Sequence, residues 1–295
     1  MNTTKQKKIA FVGGWGESSA DMLRRYAAQT PGSSGVWLDI AGTERLDEAD
    51  YIVVMDRTPR DMDVDKLPFE KVIYFEREPH QAPWLDRKFP ATMFYDGSYV
   101  HCHNVPTWWI NVPFDQLVAM PYPEKTRDLS CVNSGQYSHV LEHRLRVEFL
   151  TRFTREYPDI DIWGRGIDKF INPACYRGEL NYNGNCKLRG FIDHRYSLVL
   201  ENVRLPNTWT EKICDPLLSW NVPIYWGDPR IGHYFPPESY HALPYDLDKV
   251  DAAMIRDIVS RPVNREALKA ARNDLLFKWN IWPTIKRIVD GQPAQ

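Results

Sequence analysis

The chain has 295 residues, 43% of them hydrophobic and 26% charged, with a formal net charge of −2. This is the composition of a soluble globular protein with room for two domains of ordinary size. The charge balance gives no electrostatic case for a nucleic-acid partner, and no run of ~18 apolar residues offers a membrane span.

The polar start MNTTKQKK leads into IAFVGG, residues 9–14. This apolar stretch is too short for a signal peptide and reads as a buried first strand ending in a glycine turn. Gly13-Gly14-Trp15-Gly16 precedes a helix, the right context for a phosphate loop. The GxGxxG pattern fails because position 18 is Ser, so a tight turn is the simpler reading. Residues 18–28 suit a helix capped by Ser18 or Ser19, with Met22, Leu23 and Tyr26 on one face. VWLDI, YIVVM and KVIYF read as further strands, and strands alternating with helices predict a parallel sheet covered on both sides.

Three groups in this half could carry chemistry. Asp61, Asp63 and Asp65 resemble a metal-holding DxD pair, though a solvated loop explains them as well. Glu76-Arg77-Glu78-Pro79 puts two carboxylates at the end of KVIYF. An extended backbone would aim both the same way, and mutual repulsion would raise one pKa toward that of a general base. A surface Arg–Glu pair is an equal reading. His101-Cys102-His103 alternates across a strand and lacks further ligands nearby, which favours a structural role. Residues 101–125 read as a loop-rich edge leading to a linker near MPYPEK.

A second α/β unit begins near Lys125. DLSCVNS and DIDIW are strands, and LEHRLRVEFLTRF places Leu141, Leu145, Phe149 and Phe153 at helical spacing. Residues 166–190 are irregular. YSLVLE and VPIYWG are strands separated by a helix starting at Thr210-Glu211-Lys212. Trp209, Ile213 and Leu217 face inward, and Pro216 limits the helix's regularity. Residues 264–290 read as a helix up to Trp282-Pro283, then a second short one. The five cysteines are odd in number, widely spaced and without a CxxC, which favours reduced thiols in a cytosolic protein. The 11 Trp are first of all core residues, and secondarily platforms for sugars or bases.

Residues 196–240 are the most informative. Lys212 falls in the first turn of a helix, where free N–H groups already favour an anion. A cation there makes sense opposite a diphosphate. Glu211 can accept from a ribose diol, and Arg144 and Arg146 on the helix after Cys131-Val132-Asn133-Ser134 add groups suited to bidentate phosphate contact. A surface helix of mixed charge is the plainer alternative.

These residues resemble the α-1,3/α-1,4-fucosyltransferases, glycosyltransferase family 10. The resemblance rests on Leu200-Glu201-Asn202-Val203, Thr208-Trp209-Thr210-Glu211-Lys212, Val222-Pro223-Ile224-Tyr225-Trp226-Gly227 and Tyr234-Phe235-Pro236-Pro237-Glu238-Ser239-Tyr240. Upstream it includes Asn133-Ser134, Arg144 and Asp161-Ile162-Trp163-Gly164-Arg165, and in the first half Glu76-Arg77-Glu78-Pro79. The chain departs from the family pattern at Val203, at Thr208 and in the reversed order Asn133-Ser134.

The resemblance implies an α/β GT-B protein, with two Rossmann-like domains facing across a cleft. Residues 1–122 would bind the acceptor and 123–295 GDP-fucose, with the C-terminal helix packing back on the first domain. It implies inverting transfer of L-fucose from GDP-β-L-fucose to an acceptor-glycan hydroxyl, of α-1,3 type. Glu78 would be the base, or Glu76 if the alignment slips. Asn133, Ser134, Arg144, Gly164, Glu201, Asn202, Glu211 and Lys212 would bind the nucleotide sugar. No cofactor is implied, and a divalent metal, though compatible, is not expected as a bound one. The expected setting is cytoplasmic, soluble or peripheral to a membrane. The alternatives are another GDP sugar or a non-lactosamine acceptor, or a catalytically silent relative that binds a glycan or nucleotide.

Overall fold

A computed structural model describes residues 6–13, 16–63, 66–75, 110–180, 184–206 and 208–291. They divide into two compact units. One is formed by the described residues of 1–106, 113–119 and 276–295, the other by those of 107–112 and 120–275.

The first unit is built on a five-stranded sheet of order β2-β3-β1-β4-β5. Its strands are β1 (Lys7–Gly13), β2 (Val36–Trp37), β3 (Ile40–Gly42), β4 (Tyr51–Met55) and β5 (Val72–Phe75). All neighbours are parallel except β2 and β3. The single strand expected over VWLDI is instead a hairpin. Leu38 adopts a left-handed φ of 55°, which turns the chain back on itself. Helix α1 (Ser19–Ala27) starts where the sequence places it, with the Ser18 side chain accepting from Asp21 N. Helix α2 (Phe114–Ala119) interrupts the stretch expected to be loop.

One core of this unit packs Phe11, Tyr26 and Met55 against Trp282 and Ile285 of the C-terminal helix α7 (Ile281–Val289). Trp282 Nε1 donates to Tyr26 O at 2.7 Å. Pro283 therefore sits in the first turn of α7, where its missing N–H costs nothing, rather than dividing two helices.

The second unit carries β6 (Arg127–Val132), β7 (Ile160–Trp163), β8 (His194–Leu200), β9 (Val222–Trp226) and β10 (His241–Ala242). The order is β10-β9-β8-β6-β7, and every pairing is parallel. Helices α3 (Leu141–Glu156), α4 (Glu211–Leu218), α5 (Ala252–Ser260) and α6 (Arg265–Asn273) belong to it. The face of α3 that packs inward carries Val147, Phe149, Leu150 and Phe153. Leu141, expected on that stripe, is 53% exposed. Trp209, Ile213 and Leu217 are buried as the spacing predicts. A π-turn, Asp274–Lys278, carries the chain from the second unit back into the first.

The chain visits β7 on one side of β6 and then β8 on the other. The strand order therefore reverses between β6 and β8, and the carboxyl ends of these two strands frame the crevice where an open α/β sheet binds its ligand.

Candidate active site

That crevice holds a cavity of about 200 Å³ lying wholly within the second unit. The loop after β6 contributes Asn133, Ser134 and Gln136, the end of β8 contributes Asn202, and the first turn of α4 contributes Glu211 and Lys212. Arg146 comes from the second turn of α3, and Lys187 from the 3-10 turn Gly184–Gly190.

The loop after β6 is held by backbone contacts. Asn133 N donates to Trp163 O and Gly135 N to Arg165 O, both at 2.9 Å. Gly164 makes this approach possible: it has φ 150°, and a Cβ there would lie 1.9 Å from Asn133 O. The expected site residue Gly164 therefore shapes the wall from behind, because no side chain fits between the two loops. A Cβ on Gly135 would likewise come within 2.1 Å of Gly166 O.

Arg146 is 1% exposed. Its Nη1 donates to Asn133 Oδ1 at 3.2 Å and Leu200 O at 3.3 Å. Nε and Nη2 are buried without a partner among the described residues. Burial lowers its pKa to about 10, with the Glu201 charge opposing that shift. A guanidinium at that value is still charged at neutral pH. A buried cation with two open donors on a cavity wall is a receptor for an anion. The cation that α3 delivers to the cavity is thus Arg146. Arg144 is half-buried and does not line the cavity.

Glu201 is 1% exposed and stands behind the cavity wall. Its carboxylate accepts from Thr210 N at 3.0 Å and Thr210 Oγ1 at 2.7 Å. The Thr210 hydroxyl also accepts from Lys212 N at 3.3 Å, capping α4. Glycine follows Trp226 because a Cβ at Gly227 would lie 2.5 Å from Glu201 Cγ. Burial raises the Glu201 pKa, while Lys212 pulls it back. Lys212 Nζ lies 3.5 Å from Glu211 Oε1 and 3.7 Å from Glu201 Oε2, so two carboxylates hold it at the mouth of α4. Glu211 is pushed up by burial and pulled down further by Lys212 and Lys187, leaving it below the ordinary carboxylate range.

The structure therefore brings Asn133, Ser134, Asn202, Glu211 and Lys212 to one cavity, with Gly164 and Glu201 supporting it. Glu76, Glu78, Asp65 and His101-Cys102-His103 lie outside the described residues; Asp61 is exposed. Gln136, Lys187 and Phe191 also line the cavity. No periodicity marks them, since they arrive from irregular segments. The clue available for Arg146 was its place one helical turn from Leu150, on the inward face.

A parallel sheet with its cavity at the strand-order reversal, walled by Arg146, Lys187 and Lys212, is the build of one half of the GT-B fold. The class is borne out by fold: a crystal structure of an α1,3-fucosyltransferase with GDP matches with a TM-score of 0.50 and 17% identity, over 98% of this chain and 92% of that one. More particularly, residues 125–252, within the second unit, match the family model for glycosyltransferase family 10 (fucosyltransferase), C-terminal part. The α-(1,3)-fucosyltransferase FucT of Helicobacter pylori is 36% identical over 88 residues, 30% of this chain and 18% of that protein. A protein of Acanthamoeba polyphaga mimivirus with a fucosyltransferase name, R654, is 24% identical over 125 residues, 41% of this chain and 20% of that protein. These matches span about a fifth of each relative's length.

Proposed function

We propose that the chain transfers L-fucose from GDP-β-L-fucose to a hydroxyl of an acceptor glycan, with inversion, in the α-1,3 manner. The acceptor oxygen attacks the anomeric carbon as the bond to the diphosphate breaks, and a carboxylate takes the hydroxyl proton. GDP departs carrying the negative charge that develops. Preorganised cations stabilise such a leaving group without a metal. Arg146 and Lys212 fill that role, Glu211 receives the ribose diol, and Asn133, Ser134 and Asn202 give polar contacts around the nucleotide sugar. Glu78, with Glu76 as the second choice, is the base. No bound metal or cofactor is invoked. The buried Cys131, Cys175 and Cys214 carry free thiols, which favours a reducing, cytoplasmic setting. Among the described residues no helix is long and apolar enough to cross a membrane.

The observation that carries this reading is the buried Arg146, with two unpaired donor nitrogens, beside Lys212 in the segment that matches the family 10 model. The test is incubation with GDP-fucose, GDP-mannose or UDP sugars in the presence of N-acetyllactosamine. The expected products are GDP and a fucosylated acceptor from GDP-fucose alone. Turnover confined to a UDP sugar would sink the fucosyl reading.

A further inference from the structure

Lys187 reaches the cavity from the irregular turn Gly184–Gly190, apart from the strand–helix junctions that supply most of its walls. Its side chain is 11% exposed, and its ammonium is ion-paired with Asp215, which is 0% exposed on α4. Asp215 lies one helical turn after Glu211, on the same face of α4. The Lys187 charge also acts on Glu211, second only to Lys212 among the groups that lower its pKa. Lys187 thus pairs with Asp215 inside α4 and adds its charge to the surroundings of Glu211, one turn earlier at the cavity.

A buried ion pair seldom stabilises a fold more than an apolar pair of the same volume. Its placement on a cavity wall therefore points to orientation rather than stability. The 3-10 turn has no ladder to fix it, so the Lys187–Asp215 pair ties that wall to the helix that begins with Glu211 and Lys212.

We propose that Lys187 is a positioning residue for nucleotide binding: through Asp215 it fixes the face of α4 that presents Glu211 to a ribose diol. This rests on the reading of the cavity as a nucleotide site. It differs from a direct phosphate contact in what should be lost when Lys187 is changed. A residue acting through Glu211 affects nucleoside and nucleotide alike, whereas a phosphate ligand affects the diphosphate alone.

The experiment is calorimetric titration of GDP, guanosine, UDP and uridine into wild type, Lys187→Met, Lys187→Arg and Lys187→Met/Asp215→Leu. Lys187→Met is expected to weaken guanosine and GDP by the same factor, about tenfold. The loss should be larger at pH 5 than at pH 8, because Glu211 then protonates more readily. Lys187→Arg should recover most of it, and Glu211→Gln in the Lys187→Met background should add little, since the two act as one unit. A loss confined to GDP, or unchanged binding of both ligands, overturns the proposal. Should Lys187→Met fail to fold, the double variant, with both charges removed, is read in the same way. If wild type prefers UDP and uridine, the GDP reading falls while Lys187 is still tested on that pair. Binding of none of the four removes both.

Discussion

Glu201 and Thr210 are joined twice, the buried carboxylate accepting from the Thr210 N–H at 3.0 Å and from its hydroxyl at 2.7 Å. The contact links the end of β8 to the start of α4 across nine residues of chain. The same hydroxyl accepts from Lys212 N, so one side chain closes the loop and caps the helix whose first turn bears Glu211 and Lys212. The Glu-Asn and Thr-Glu-Lys motifs are therefore one structural device. Glu201 builds the wall from behind, and Lys212 faces the cavity.

Thr210→Val removes the cap and leaves a buried carboxylate oxygen short of a donor. A lost cap costs about 1 kcal/mol and an unsatisfied buried acceptor about 1–3 kcal/mol. The expected fall in melting temperature is about 5–10 °C, with a parallel loss of GDP affinity. Thr210→Ser keeps the hydroxyl and should stay close to wild type. Differential scanning calorimetry with and without GDP reads both effects.

Arg146 and Arg144 should separate cleanly. A charge-assisted hydrogen bond to a buried guanidinium contributes about 1.5–3 kcal/mol. Arg146→Met, which keeps volume and removes the charge, should therefore weaken GDP about 10- to 100-fold. Arg144→Met should change it less than threefold. Equal losses would show that the cavity wall is not where the diphosphate lies.

Most of the second unit was legible in the sequence because its signals are local. The strands YSLVLE and VPIYWG, the helix start at Thr210 and the inward Trp209, Ile213 and Leu217 all follow from periodicity and residue type. The misreadings arose where tertiary contact decides. Leu141 continues the helical spacing of Leu145 and Phe149 but sits in the first turn of α3 and is exposed, whereas burial begins at Arg146 and Val147. Spacing alone does not rank Arg146 above Arg144 as a phosphate ligand; the structure buries Arg146, where Asn133 Oδ1 and Leu200 O accept from it. Leu38 gives no hint of a left-handed turn, since its side chain type avoids that conformation. Lys187 stands in a segment with no periodicity at all, and pairing with a residue 28 positions later cannot be read from spacing.

His143 should link nucleotide binding to protons. It lies three residues before Arg146 on α3, with Nδ1 2.8 Å from Ser138 Oγ. Burial first, then the charges of Arg146, Lys212 and His139, lower its pKa to about 4. The unfolded chain protonates first, near 6.5. The stability this group contributes is thus present above pH 6.5 and lost as pH falls toward 4. A bound diphosphate offsets those cations and raises the His143 pKa, so binding should take up a proton in this window. Titration of GDP at pH 5.5 in two buffers of different ionisation enthalpy measures that uptake. His143→Gln should reduce it to what the diphosphate itself contributes, and an unchanged uptake would disprove the link.

The base remains the sharpest test of chemistry as distinct from binding. Glu76 and Glu78 come directly after Phe75 in the sequence and lie outside the described residues, so the choice of base rests on the Glu-Pro element of the sequence. A general base contributes about 10²- to 10⁴-fold to the rate and little to ground-state binding. Glu78→Gln should therefore lower kcat by that factor while the Kd for GDP stays within twofold. Glu76→Gln should cost less than tenfold. The reverse ranking would move the base to Glu76 and shift the Glu-Pro element by two residues against the family pattern. Loss of GDP affinity in either variant would instead assign that residue to the nucleotide, because a base that acts on the acceptor hydroxyl has no part in holding GDP.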